Sequence, residues 1–157
     1  AWYAGLVAHA ARGGLEAVTM AAAAGSSGLP YAPLPWPQPW FDEAGEGVFP
    51  SFHVFRELAG VAGLMQVETA SSRPREVQAL AVRTGDGLRL WVVNLTGETR
   101  ELSVAGLPRG AARAASLDAA SFVELCSAKG GQPATVEMAG GGLRLVPYAF
   151  VCVDVSD

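Results

Sequence analysis

Apolar and polar positions change period along the chain, and those changes divide it. Trp2, Leu6, His9 and Ala10 recur at helical spacing, and Gly13-Gly14 then ends a helix, because glycine enters left-handed backbone without steric cost. Leu15 to Met20 follows with no polar alternation, the pattern of a short strand buried on both faces, as in a parallel sheet. From Gly25 to Gly47 the prolines Pro30, Pro33, Pro35, Pro37 and Pro39 are interleaved with Tyr31, Trp36 and Trp40, which predicts a long loop with aromatic side chains to pack or bind with. Phe49-Pro50 opens a second helix whose stripe is Phe52, Phe55, Arg56, Leu58, Ala59 and Ala62, with Gly60 and Gly63 at its end.

After Glu76 the period falls to two. Val77, Ala79 and Ala81 alternate with Gln78, Leu80 and Val82, and Thr84-Gly85-Asp86-Gly87 is a tight turn before Leu88 to Asn94, so a hairpin is predicted. Further strands are expected at Thr99 to Val104, Ala111 to Leu117, Leu143 to Val146 and Ala149 to Val155, with turns at Gly106-Leu107-Pro108 and Gly140-Gly141-Gly142. Asp118 is placed to cap a short helix over Ala119 to Cys126. Two αβ steps followed by an antiparallel β-sandwich give an α+β chain.

Composition narrows the function classes. Eleven basic against fifteen acidic residues give a net charge of −4, and no Lys or Arg cluster could neutralise a run of phosphates, so no nucleic-acid partner is expected. Leu15 to Ala24 is the longest apolar stretch and is too short to span a bilayer, so no membrane partner is expected either. The opening Ala1-Trp2-Tyr3-Ala4-Gly5-Leu6 lacks Met and the basic start of a signal peptide and reads as mid-helix. The chain is expected to be cut from something longer, with a cytoplasmic setting favoured. Cys126 and Cys152 are too few for a disulfide framework and are expected as free thiols.

The segments Val48 to Gly60 (VFPSFHVFRELAG), Val77 to Thr96 (VQALAVRTGDGLRLWVVNLT) and Leu145-Val146-Pro147-Tyr148-Ala149 resemble the C-terminal portion of D-apionate lactonase-like proteins, relatives of the (β/α)8 glycoside hydrolases that carry a β-sandwich after the barrel. The resemblance runs from Ala1 to about Asp154 and rests on segment order. It implies a C-terminal remnant of a (β/α)8 barrel over 1–64, supplying the last helix, strand and helix, and a β-sandwich over 65–157. Trp2 to Arg12 would be the seventh barrel helix, Leu15 to Ala21 the eighth strand and Phe49 to Gly63 the eighth helix. Sites in such barrels lie at the C-terminal ends of the strands. The paired carboxylates of the related hydrolases would then stand upstream of Ala1, which leaves this chain with no catalytic residue of its own, inactive alone, and packed on the missing N-terminal barrel. Carbohydrate or a sugar lactone would be met through the parent enzyme. One departure is Ala21-Ala22-Ala23-Ala24 at the end of the expected eighth strand, which offers a sugar nothing polar or aromatic.

That leaves the loop as the substrate contact. Trp36 and Trp40, with Tyr31, are the substrate-binding candidates, since an indole face stacks on the apolar face of a sugar ring; the bland alternative is that they pack the loop onto the barrel. Asp42, Glu43 and Glu46 are read as solvated acids of a glycine-rich loop. His9 and His53 fall in helices with no Cys, Asp or Glu at metal-ligand spacing, and neither a metal nor a cofactor is expected. Asn94-Leu95-Thr96 fits a glycosylation acceptor but is explained by the hairpin. Ser26, Ser27 and Ser51 lack the elbow of a serine nucleophile, and Gly140-Gly141-Gly142 lacks the Lys and helix of a phosphate loop. The rival reading is a non-catalytic carbohydrate-binding or structural sandwich module, which would have to bind through Trp91, Phe122, Tyr148 or Phe150.

Overall fold

The computed structural model describes residues 1–22, 29–107, 112–127, 131, 133, 135–138 and 141–156. Within them the chain forms α1 (Trp2–Arg12), α2 (Pro39–Ala44), α3 (Pro50–Ala59), β1 (Gln66–Val67), β2 (Val77–Thr84), β3 (Gly87–Asn94), β4 (Arg100–Ser103), β5 (Ala112–Leu117), α4 (Phe122–Cys126), β6 (Thr135–Glu137), β7 (Gly142–Leu145) and β8 (Phe150–Ser156). The expected turn at Gly106-Leu107-Pro108 and the glycine run at 140–142 fall partly outside the described residues, as do Ala23, Ala24, Ser26 and Ser27.

An antiparallel sheet in the order β1-β2-β3-β8-β5-β6 is the centre of the fold. The period of two sorts its side chains. Leu80, Val82, Trp91, Val93, Leu117, Phe150 and Cys152 point to one face, where they join Ala4 and Ala8 of α1, Val54 of α3 and Leu125 of α4 in a single cluster. Val77, Ala81, Leu88, Leu90, Val92, Val151, Val153 and Val155 point to the other face and meet Leu143 and Leu145 of β7. A second sheet, β4-β7, covers that side, with Arg100 opposite Leu145 and Leu102 opposite Leu143. Along β3 only Arg89 escapes full burial. The β2–β3 hairpin closes with Thr84 opposite Gly87, as the turn chemistry predicts.

α1 meets the sheet through small residues. Ala4, Gly5 and Ala8 form its buried side, and a Cβ on Gly5 would lie 2.8 Å from Leu95 Cδ2. Arg12 at its end donates to the Ala79 carbonyl at 3.1 Å and to the Gln78 side chain. The large apolar side chains of the same helix face away: Trp2 is 70% exposed and Leu6 52%. Gly14, at φ 79°, reverses the chain as the Gly-Gly pair predicts.

The buried strand expected over Leu15 to Met20 does not form. Those residues carry no ladder, and Leu15 is 51% exposed. A parallel strand needs neighbours to take up its N–H and C=O groups, and none of the described residues supplies one. The long loop also holds one more element than its composition suggested. Pro39 occupies the first turn of α2 and Gly45, at φ 73°, ends it, the usual placement of proline and glycine around a short helix. β1 and β6 are two and three residues long, too short to declare a period. The helix expected over Ala119 to Cys126 starts later, at Phe122, with Ser121 at its N-cap and no side-chain cap bond, so Asp118 does not cap it; its Oδ1 closes the preceding turn instead, accepting from the N–H groups of Ala120 at 2.9 Å and Ser121 at 3.2 Å.

Asn94 joins the two sheets. It is fully buried, and its Nδ2 donates to the carbonyls of Glu98 at 2.7 Å and Val146 at 2.9 Å, while its Oδ1 accepts from Thr96 N–H at 2.9 Å. The Asn94-Leu95-Thr96 triplet is therefore structural, since its amide is enclosed and engaged. Asn94→Ala removes this hub and strands the carbonyls of Glu98 and Val146, and a loss of about 2–4 kcal/mol in urea-unfolding free energy is expected. An unchanged midpoint would show that the hub contributes nothing.

Candidate functional site

The segment from Leu29 to Phe49 leaves and re-enters the fold at one pinch. Pro30 bridges Val48, Tyr31 N–H donates to the Gly47 carbonyl at 2.9 Å, and Phe49 N–H donates to the Leu29 carbonyl at 2.8 Å. The intervening residues are therefore a closed loop whose ends are held together. Inside it, Tyr31 stacks on Phe41 with ring centroids 5.8 Å apart, and Phe41 also meets Phe49 at 4.7 Å. Trp40 makes T-shaped contacts with Phe41 at 4.8 Å and with Phe122 of α4 at 5.4 Å.

Asp42 locks this arrangement. Its Oδ2 accepts from the Gln38 N–H at 2.6 Å, just ahead of α2, and its Oδ1 accepts from the Tyr31 hydroxyl at 2.7 Å. The backbone donor at Gln38, followed by the Tyr31 hydroxyl, holds the Asp42 carboxyl below its ordinary range. The same bond raises the Tyr31 phenol. Glu43 and Glu46 are exposed to solvent.

The three aromatic candidates thus part company. Trp40 is half-buried and engaged on two rings, Tyr31 is stacked and hydrogen-bonded, and Trp36 alone of the three is exposed, at 53%. Only Trp36 offers a free indole face at the surface of the loop.

The two histidines also separate. His9 is exposed on α1, whereas His53 of α3 is fully buried. Its Nε2–H donates to the Leu125 carbonyl of α4 at 2.6 Å, and its Nδ1 has no partner. The ring is therefore the neutral Nε2–H tautomer. Burial lowers its pKa most, Arg56 adds to that, and the Leu125 carbonyl and Glu57 oppose it. Beside it, Arg89 grips Asp154 through two bonds of 2.6 and 3.1 Å and reaches Glu57 of α3 at 3.6 Å. Cys152, opposite Trp91, points its Sγ toward Glu57 Oε2 at 3.8 Å. Burial, reinforced by Asp154 and Glu57, pushes this thiol up to about 12, and burial alone pushes Cys126 to about 11. Both cysteines are free, as expected from their number. Alternation alone could not have revealed this cluster, since its members come from one helix and two strands distant in sequence.

Among the described residues no group of three or more His, Cys, Asp or Glu is placed to hold a metal. No described helix is long and apolar enough to cross a membrane.

Two family models align in series with the chain. The TIM barrel domain of D-apionate lactonase matches residues 1–63, and the C-terminal immunoglobulin-like domain of D-apionate lactonase matches residues 74–153. The chain belongs to the D-apionate lactonase family. The lactonase-type immunoglobulin-like domain thus coincides with β2 to β8, and the lactonase barrel match with α1 to α3. Among solved structures the chain is similar to a GH30 endoxylanase from Clostridium papyrosolvens C71, at 12% identity and a TM-score of 0.49, over 70% of this chain and 28% of that one. The chain therefore spans little more than a quarter of that enzyme's length. A search of curated proteins returned no match.

Two outcomes follow from the buried groups. With their thiols raised to about 12 and 11 and enclosed, Cys152 and Cys126 are expected to stay unreactive toward a disulfide reagent at pH 8 in the folded chain and to react fully in denaturant. Rapid labelling without unfolding would contradict that burial. His53 is held below its ordinary value of 6.5, so the stability tied to its neutral form is complete above that pH and drains away as pH falls through it. Urea midpoints are expected to drop between pH 7.5 and pH 5, and His53→Gln is expected to flatten that slope.

Proposed function

We propose that this chain is the C-terminal portion of a carbohydrate-active hydrolase, most closely a sugar lactonase, with no complete active site of its own. Residues 1–64 contribute the closing helix, strand and helix of a (β/α)8 barrel, and residues 65–157 form a sandwich that stabilises it. The observation that carries this reading is the serial match of a lactonase barrel segment and a lactonase immunoglobulin-like domain to the two parts of the chain. The distribution of exposure agrees with it. α1 buries Ala4, Gly5 and Ala8 against the sandwich and leaves Trp2 and Leu6 bare on its opposite side, with Leu15 and Val18 bare just beyond. A barrel helix has two apolar duties, one toward the barrel strands and one toward an accessory domain, and among the described residues only the second is met. The upstream part of the barrel is the partner that would cover the first, and its strands would give Leu15 to Met20 the ladder it lacks.

In this reading the loop between Leu29 and Phe49 edges the substrate cleft, and Trp36 is the side chain free to lie against a sugar ring. The carboxylates or other groups that open the lactone stand outside this chain. The binding-module alternative is disfavoured by the sandwich's own aromatics: Trp91 and Phe150 are buried, Phe122 is engaged by Trp40, and Tyr148 is the one left exposed.

The test is to assay sugar-lactone hydrolysis by the enzyme encoded by the complete gene and by this chain alone. Activity is expected only in the former. Trp36→Ala in the complete enzyme is expected to raise KM about three- to tenfold with kcat nearly kept, the size of one lost stacking contact. Hydrolysis by the isolated chain would overturn the proposal, as would a complete enzyme indifferent to every sugar lactone and glycoside offered.

A further inference from the structure

A five-residue helix cannot satisfy its own last carbonyls, because each would need a donor four residues further on. α4, carried by the sandwich between β5 and β6, has this problem at Leu125 and Cys126, both fully buried. The donors that solve it come from the first third of the chain. His53 Nε2–H donates to the Leu125 carbonyl at 2.6 Å, and Val48 N–H donates to the Cys126 carbonyl at 3.0 Å. Gly47 passes so close to that carbonyl that a Cβ there would lie 2.5 Å from its oxygen. At the other end of the helix, Phe122 meets Trp40 at 5.4 Å and Phe41 at 6.0 Å, both in T-shaped contacts. α4 therefore grips both the closing pinch of the 29–49 loop and the aromatic cluster within it.

We infer that α4 is a positioning element for the 29–49 loop, so that the sandwich fixes where Trp36 stands as well as supporting the barrel. Phe122, Leu125 and Cys126 touch no substrate. They act through the loop: the Cys126 carbonyl sets its exit at Gly47-Val48, the Leu125 carbonyl seats α3 just beyond that exit through His53, and the Phe122 ring sets α2, four residues beyond Trp36 at its Trp40. This rests on the proposed reading of the loop as an edge of the substrate cleft.

The experiment compares Phe122→Ala, Phe122→Tyr and Trp36→Ala in the enzyme from the complete gene, by hydrogen–deuterium exchange and by KM and kcat on a sugar lactone. In Phe122→Ala the Tyr31, Val48 and Phe49 amides are expected to exchange about tenfold faster, as one lost aromatic contact would allow, with β3 and β8 unchanged. KM is expected to rise while kcat is nearly kept, and Phe122→Tyr, which retains the ring, is expected to restore both readouts. Should Phe122→Ala fail to fold, Gly47→Ala, which presses a methyl onto the Cys126 carbonyl, is expected to give the same pattern. Unchanged exchange at the loop amides would overturn the inference while leaving the lactonase reading intact. Faster exchange with KM unmoved would also overturn it. An unmoved KM in Trp36→Ala with normal exchange would strike instead at the reading of the loop as part of the cleft.

Discussion

A sheet whose two faces are both covered is the constraint on which this structure depends. β3 and β8 have almost no solvent side, so neither face can be served without the other: Trp91 and Val93 require the helices, and Leu90 and Val92 require the β4-β7 pair. Each fully enclosed aliphatic chain in such a position, such as Leu145 or Val153, contributes about 1.5–3 kcal/mol relative to exposure. The sandwich is thus closed on one side by its own small sheet and on the other by α1, α3 and α4. The segment matched to the lactonase barrel is part of the core of the segment matched to the immunoglobulin-like domain.

Polar contacts then fix how these layers are seated. Asn94 ties the end of β3 to the chain leaving β7, and the Glu57–Arg89–Asp154 set ties α3 to the sheet. The ion pairs are partly exposed and are worth little each, so their use is in setting the register of α3 along β3 and β8. The buried hydrogen bond from His53 to Leu125 is different in kind. It lies in the apolar interior, where a polar group left without a partner is costly, and it determines which turn of α3 faces α4.

Much of this was legible in the sequence because its signals are local. The Thr84 to Gly87 turn, the alternation from Val77 to Val82 and from Leu88 to Asn94, and the Gly13-Gly14 stop are each written within a few residues, and the hairpin and helix end stand where those signals put them. The strand expected over Leu15 to Met20 failed for the opposite reason: its apolar run declares a buried environment, but burial and pairing are supplied by other strands. Trp40 and Tyr31 looked like Trp36 in sequence, since composition gives an aromatic side chain no direction. What separated them was Phe122, some eighty positions away, together with the Asp42 carboxylate. Pro39 and Gly45 bracket α2, but Pro39 follows four other prolines within ten positions, and in such a run a single proline carries no helix signal of its own.

The narrow side of α1 carries a consequence for how such proteins diverge. Where Gly5 meets Leu95, an added methyl would press on the free end of the leucine side chain, which would have to turn aside. The bareness of position 5 and the size of the side chain at 95 therefore constrain each other. A larger residue at one of the two sites is best tolerated beside a smaller one at the other.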